Sequence, residues 1–330
     1  MPYIEIGHEA LSTNQLLLPL IELVKQRGVH PDKALKGTKL FYDDLKEQGH
    51  RSSFKQLVQV LQNITHYHLG QDLSFVLGQH MLHNISAQYA PYLFHCANLK
   101  SVLVTCNQLQ NYLFPYFNAR IFRKKQTLHF VLNPSISQIP PFANQFLLEV
   151  WLSMVCGFLK WRLPDTTISF QLPFPEPEYA EQFRAFCHQP LTFSQHFAGF
   201  IVHRSMMNTQ QHAAIEALKA PFCQLQSLPR AGFLSHIESY LIAHPKASQD
   251  DLANYLSIST ATLKRKFALH NCQFGCVKDR LLSQKAVFCI QQQGYSNAQV
   301  AKLLHFNDLP NFRRTFKRWL GITPSELRKV

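Results

Sequence analysis

Apolar positions in the first two hundred residues follow two different periods, and the switches between them mark out the elements. Spacings of three and four over Leu11–Lys25, Phe54–Tyr67, Leu73–Met81 and Leu99–Leu113 predict helices, and the first two begin beside Ser or Thr residues suited to capping. Alternation then takes over. Arg120–Arg123, a Lys-Lys-Gln turn and Thr127–Leu132 predict a hairpin. Pro140 and Pro141 introduce a long apolar helix of about Phe142–Trp161. A strand over Thr166–Leu172, an extended loop over Pro173–Pro177, a helix around Tyr179–Phe186 and strand-like pieces at Leu191–Phe193 and Phe197–Val202 complete the pattern. Past Arg204 the chain turns polar. A linker is placed at 205–229, with a short helix over Gln211–Lys219 and punctuation at Pro221 and Pro229. From Gly232 onward only helical spacing occurs. The expected fold class is therefore an α+β N-terminal domain (1–204) followed by an all-α domain (230–330).

The all-α region contains an internal repeat. One copy starts at Asp250 and ends at Phe267; the other runs from Asn297 to Phe316. Ala253 corresponds to Ala301 and Leu256 to Leu304, at an offset of 48. Leu263 corresponds to Phe312 and Phe267 to Phe316, at an offset of 49, so the second copy holds one more residue in its turn. The physical demands of a helix-turn-helix account for these residues. A small side chain is needed where the first helix crosses under the second, a leucine closes the turn, and an i, i+4 apolar pair pins the second helix to the core. Units at about 249–270 and 297–320 follow, with Ser259 and Asp308 as N-caps. Outward positions on the second helix of the first unit are Thr260, Ala261, Thr262, Lys264, Arg265 and Lys266. On that of the second they are Leu309, Asn311, Arg313, Arg314 and Lys317. Small or amide side chains followed by Lys or Arg suit a major groove. A single copy would fit an ordinary helical hairpin with a basic solvated face equally well; two copies, basic at equivalent positions, favour DNA.

Charge placement points the same way. The formal net charge is +13, and residues 230–330 hold fifteen Lys and Arg against six Asp and Glu, whereas the preceding residues hold eighteen against fourteen. A basic module following a nearly balanced one suits double-stranded DNA as partner, because each neutralised phosphate releases counterions.

Other classes fare worse. The opening residues lack a basic stretch leading into an apolar core, and the longest apolar run, Phe146–Leu159, contains Glu149 and is too short to span a bilayer, so a cytoplasmic protein with no membrane partner is expected. The eight cysteines form no C-x-x-C and are expected as thiols, with Cys272 and Cys276 one helical turn apart. His80 and His83 lack neighbouring ligands, so no metal and no cofactor is expected. No nucleophile elbow, P-loop, zinc-protease or dinucleotide motif is present, which leaves no catalytic residue and an expected non-enzyme. The rival classes are a DNA-repair enzyme fused to a similar domain and an architectural DNA-binding protein without an effector.

The closing stretch Phe312–Arg328, with Trp319 and Pro324-Ser325-Glu326, resembles the signature of the AraC/XylS family of bacterial transcription regulators, in the subgroup related to ornithine-utilisation regulators. The resemblance covers about 232–328. It implies seven helices in which a linker helix, here around Gly275–Gln292, sets two recognition helices into successive major grooves. It also implies transcription regulation, as an activator, with RNA polymerase as a partner. By position, base contacts fall on Ala261, Lys264 and Arg265, and on Leu309, Pro310, Asn311, Arg313 and Arg314; with Ser259, Thr260, Thr262, Lys266 and Lys317 these are the candidate DNA-binding residues. Three positions depart from the pattern: His305 and Asn271 stand where Gly is usual, and Leu282 where Arg is usual.

The N-terminal half resembles the regulatory domain that accompanies this subgroup, sometimes labelled arabinose-binding. The resemblance rests on Leu69-Gly70-Gln71-Asp72-Leu73, Leu77-Gly78, and the run Tyr179, Phe183, Phe186, Pro190–Phe193. It implies a domain that senses a small-molecule effector, forms a homodimer, or both. No sugar-contact motif accompanies it, and no effector-binding residue is singled out. The many apolar residues of 89–160 suit an apolar pocket as well as plain core, and Arg120, Arg123, Lys124 and Lys125 suit a charged hairpin face better than an anion site.

Overall fold

The chain is described by a computed structural model over residues 3–47, 49–85, 89–220 and 230–329. Residues 221–229 of the expected linker, with Pro221 and Pro229, lie outside the described residues. The N-terminal domain opens with two short strands, β1 (Leu11–Ser12) and β2 (Arg51–Ser52), paired antiparallel around helices α1 (Leu17–Gln26) and α2 (Pro31–Leu35). The helix expected from Leu11 thus starts six residues later, because Leu11 and Ser12 bond across to β2. Next come α3 (Phe54–Ile64), whose Ser53 forms a capping box with Gln56, α4 (Leu73–His83), α5 (Ala90–Phe94) and α6 (Leu99–Leu113).

Five strands form the sheet: β3 (Phe117–Arg123), β4 (Thr127–Pro134), β5 (Ile168–Gln171), β6 (Leu191–Thr192) and β7 (Gly199–His203). Their spatial order is β3-β4-β7-β5-β6, antiparallel except for the β5–β6 pair. Behind the sheet runs α7 (Pro141–Arg162), with α8 (Ala180–Phe186) after β5. By length and composition α7 could cross a membrane, yet 67% of its most apolar window is buried within the chain, as suits a core helix. It lies tightly along α4. A Cβ on Gly78 would meet Val150 O at 2.4 Å, so only glycine permits this approach, and Ser153 Oγ donates to Phe75 O at 2.6 Å across the same seam.

Two expectations fail here. Gln211–Lys219 forms only a 3-10 turn at Glu216–Leu218; its start is bound to the N-terminal domain through Gln211 N to Ala97 O (3.0 Å) and His212 N to Arg162 O (2.7 Å). The segment assigned to the linker therefore packs on this domain through these residues. Cys156 and Cys187, expected as thiols, are joined as a disulfide between α7 and the end of α8, with Cα atoms 5.2 Å apart. A separation of 31 residues gives sequence spacing no purchase on that pairing. Cys272 and Cys276 stay unpaired.

The C-terminal domain has seven helices among the described residues: α9 (Phe233–Ala243), α10 (Gln249–Tyr255), α11 (Thr260–Leu269), α12 (Phe274–Val287), α13 (Asn297–Leu303), α14 (Leu309–Leu320) and α15 (Pro324–Leu327). It holds two small cores rather than one. The first gathers Phe233, Ile237, Leu252, Leu263, Phe267 and Val277; the second gathers Val287, Ile290, Val300, Leu304, Phe312 and Phe316. Helix α12 contributes its first half to one and its last turn to the other, continuing into a π-turn at Phe288–Gln292. One rigid element thereby fixes the spacing of the two units.

Candidate nucleic-acid interface

The two helix-turn-helix units are copies in detail. Ser248 and Ser296 each form a capping box at the start of the first helix. Ala253 and Ala301 are buried beneath the crossing. In the turns, Ile258 N donates to Ala253 O at 3.0 Å and Phe306 N to Ala301 O at 2.9 Å. Both turns need a left-handed residue: Ser257 has φ 55° and His305 has φ 60°. The family-usual glycine at His305 is thus explained by backbone, and histidine occupies the position at a conformational cost. Asn271, just after α11 (Thr260–Leu269), has φ 51°, which asparagine accepts more readily.

Helices α11 and α14 are the second helices of the two units. Ser259 Oγ caps the first by accepting from Thr262 N at 3.1 Å, and Asp308 Oδ1 caps the second by accepting from Asn311 N at 2.6 Å. Their inner faces are held by Leu263 with Phe267 and by Phe312 with Phe316, all at most 2% exposed. Fixing those faces leaves Ser259, Ala261, Lys264 and Arg265 exposed on one helix, and Pro310, Arg313, Arg314 and Lys317 on the other. The geometry aims two basic ridges outward from rigid supports, which suits phosphate and base-edge contacts in a groove.

Not every outward candidate faces the same way. Thr260 Oγ1 donates to Asp250 Oδ1 at 2.8 Å, tying α11 to α10, while Thr262 and Asn311 are half-buried. Leu309 packs against the second core. Lys266 turns away from the ridge: its ammonium pairs with Glu5, and both side chains are largely covered. Helical spacing alone could not separate Lys266 from Lys264, because its partner lies 261 residues away. On α14, Arg318 pairs with Asp279 of α12 at 3.0 Å.

The N-terminal domain grips this module through α9, α11, α12 and the π-turn. The segment around Tyr3–Glu5 belongs spatially to the C-terminal domain: Tyr3 completes the first core, and Ile4 exchanges backbone bonds with Ala231 and Phe233 at 2.9 Å each. Strands β3 and β4 show alternation at work. Phe117, Ala119, Phe130 and Leu132 point into the N-terminal core, whereas Asn118, Arg120, Phe122, His129 and Asn133 point at α9, α12 and the π-turn. Phe122 stacks on Phe288 with centroids 5.0 Å apart. Arg120 Nη1 donates to Leu281 O at 2.7 Å, and burial pushes its guanidinium down to about 10. Gln284 Nε2 donates to Asn133 Oδ1 at 2.6 Å. Asn133 Nδ2 in turn donates to Glu238 Oε2 at 3.1 Å, and Arg280 Nη2 donates to Glu238 Oε1 at 2.8 Å. Arg120, read from sequence as part of a charged hairpin face, is thus a domain clasp.

No group of three His, Cys, Asp or Glu gathers as a metal site among the described residues.

A family model described as the arabinose-binding N-terminal domain of AraC transcription regulators matches residues 28–210, and a helix-turn-helix domain model matches residues 252–330. An ornithine utilization regulator of Pseudomonas aeruginosa is 23% identical over 94% of this chain and 94% of its own. The HTH-type transcriptional regulator VirS of Mycobacterium tuberculosis is 26% identical over 41% of this chain and 42% of its own. The crystal structure of the transcriptional regulator CdpR of Pseudomonas aeruginosa aligns over 94% of this chain and 97% of that one, with TM-score 0.42 and 17% identity.

Proposed function

The chain belongs to the AraC transcription regulators and is a DNA-binding regulator of transcription; on that premise we propose that α11 and α14 read a bipartite promoter site in two successive major grooves. Base edges are read by Ala261, Lys264 and Arg265 from one helix and by Pro310, Asn311, Arg313 and Arg314 from the other. Ser259, Thr260, Thr262, Leu309 and Lys317 flank or support those contacts, while Lys266 holds the N-terminal segment instead. The observation that carries this assignment is the duplication of an exposed basic ridge whose inner face is locked by two buried apolar side chains. One turn of B-DNA separates equivalent groove sites by about 34 Å, and a single rigid α12 between the units is what such spacing demands.

The N-terminal domain is the regulatory half, answering to a small-molecule effector or a second subunit and passing that event to α12 through β3 and β4. The working unit is a cytoplasmic activator that meets RNA polymerase at its promoter, with residues 1–204 as regulatory domain, 205–229 as a linker whose start is docked on that domain through Gln211 and His212, and 230–330 as DNA-binding domain. Fluorescence anisotropy with a duplex selected from random sequence tests the assignment. Arg265→Ala and Arg314→Ala should each weaken specific binding by about 1–3 kcal/mol and relax discrimination only in that helix's half-site. Unchanged affinity and unchanged half-site preference for either variant would refute the helix placement. Equal affinity for scrambled duplexes would mark an architectural protein instead.

A further inference from the structure

Between α6, α7 and the inner face of the sheet lies a cavity of about 160 Å³. Its wall is rich in aromatic rings: Phe114, Phe117, Phe130, Trp151, Phe158 and Phe200 all line it. Polar groups are few, namely the amides of Asn107 and Gln110 and the thiol of Cys106, all on α6, and no charged side chain lines it among the described residues. Asn107 is exposed and Gln110 half-buried, so the polar edge of the cavity is also its solvent-facing side.

A void of this size is unusual in a native core, which packs as densely as an organic crystal and loses stability wherever contacts are missing. An apolar cavity of about 150 Å³ stays dry and accepts a benzene ring. A charged or zwitterionic molecule would enter this one without a counter-charge and at high desolvation cost. The position matters as much as the chemistry. Phe117, Ala119, Phe130 and Leu132 line the cavity from one face of β3 and β4, and the alternate residues on the other face hold α9 and α12. Whatever spreads or rotates these two strands also moves the clasp on the helix that spaces the recognition helices.

We propose that this cavity is the effector site and that it takes an uncharged, single-ring aromatic molecule with one hydrogen-bonding substituent at the Asn107–Gln110 edge. The assignment rests on the reading that the N-terminal domain regulates through β3 and β4. Benzyl alcohol is the probe, with benzoate and benzylamine as charged congeners, measured on the full-length protein by calorimetry and by Trp151 fluorescence from the cavity wall. Benzyl alcohol should bind saturably and raise the melting temperature, with each congener at least about tenfold weaker. Ala119→Leu fills the cavity and should weaken the probe at least about tenfold without lowering the melting temperature; Val155→Phe, from the opposite wall, serves if that variant fails to fold. Absence of saturable binding, equal binding by the filled variant or equal binding of the congeners overturns the site. DNA affinity with and without the probe then separates the two ideas. A shift in DNA affinity must be matched by an equal shift in probe affinity on adding DNA, because linkage is reciprocal. Saturable binding that leaves DNA affinity untouched overturns the effector assignment. A change in DNA affinity on Arg120→Ala, in a protein that does not take the probe, leaves the interdomain reading standing and removes only the ligand.

Discussion

Glu238 offers the sharpest test of how the two domains are joined. It is 1% exposed and accepts four hydrogen bonds: from Arg280 Nε and Nη2 at 3.1 and 2.8 Å, and from Asn118 and Asn133 at 3.2 and 3.1 Å. Glu238→Ala strips the acceptor from a guanidinium that is 18% exposed and from two amides of the opposing sheet. Breaking a buried ion pair from one side costs about 3–5 kcal/mol; the residual exposure of Arg280, and its bond to Gln138 Oε1 at 3.1 Å, put this case near about 3 kcal/mol. Asn133→Ala removes one of the four bonds and also orphans Gln284 Nε2, at about 1–3 kcal/mol. Because both substitutions delete the same Asn133–Glu238 bond, the double variant should cost less than the sum by about 1–2 kcal/mol. Urea denaturation of the full chain measures all three, followed by far-ultraviolet dichroism and by tryptophan emission, since Trp151 and Trp319 sit in different domains. A loss below about 1 kcal/mol for Glu238→Ala, or a coupling within about 0.3 kcal/mol of zero, would refute the buried network and reduce it to an exposed ion pair.

Further tests address single features. Lys264→Ala or Lys317→Ala should lower the slope of log affinity against log salt by about 1, whereas Lys266→Ala should leave the slope unchanged and cost stability, since its ammonium is held by Glu5; equal slopes for all three would undo the distinction. Burial pushes the His270 imidazole down to about 4, against about 6.5 in the unfolded chain, so the native state resists protonation. Stability should therefore fall as pH drops below about 6.5, by about 2 kcal/mol at pH 5 and about 3 kcal/mol near pH 4, and His270→Leu should flatten that part of the denaturation profile. His305→Gly relieves a left-handed histidine and should raise stability by about 0.5–1 kcal/mol in thermal melts, with no loss of DNA affinity.

The elements that could be read from the residues alone are those whose causes lie within one or two turns of chain. Apolar spacing placed α6 at Leu99–Leu113 and α7 within a residue of each observed end, and side-chain capping marked Ser259 and Asp308 as the starts of α11 and α14. The repeat at offsets of 48 and 49 predicted both units, because the crossing alanines and the pinning pairs recur at the spacing a helix dictates. The left-handed backbone at His305 stands where the family resemblance implies glycine. Tertiary structure decided whatever depends on partners far along the chain. Leu11 and Ser12 carry helical spacing but bond to Arg51 and Ser52 instead. The same holds for Lys266, which shares its helix face with candidate DNA contacts until Glu5 claims it, and for Arg120, whose acceptors lie more than 160 residues away. The cavity is the furthest from sequence: its lining residues are ordinary core residues by hydropathy, and only the way α6 and α7 meet the sheet leaves space among them. Local periodicity reports which face of an element is buried; what covers that face, and how completely, is set by contacts the pattern does not contain.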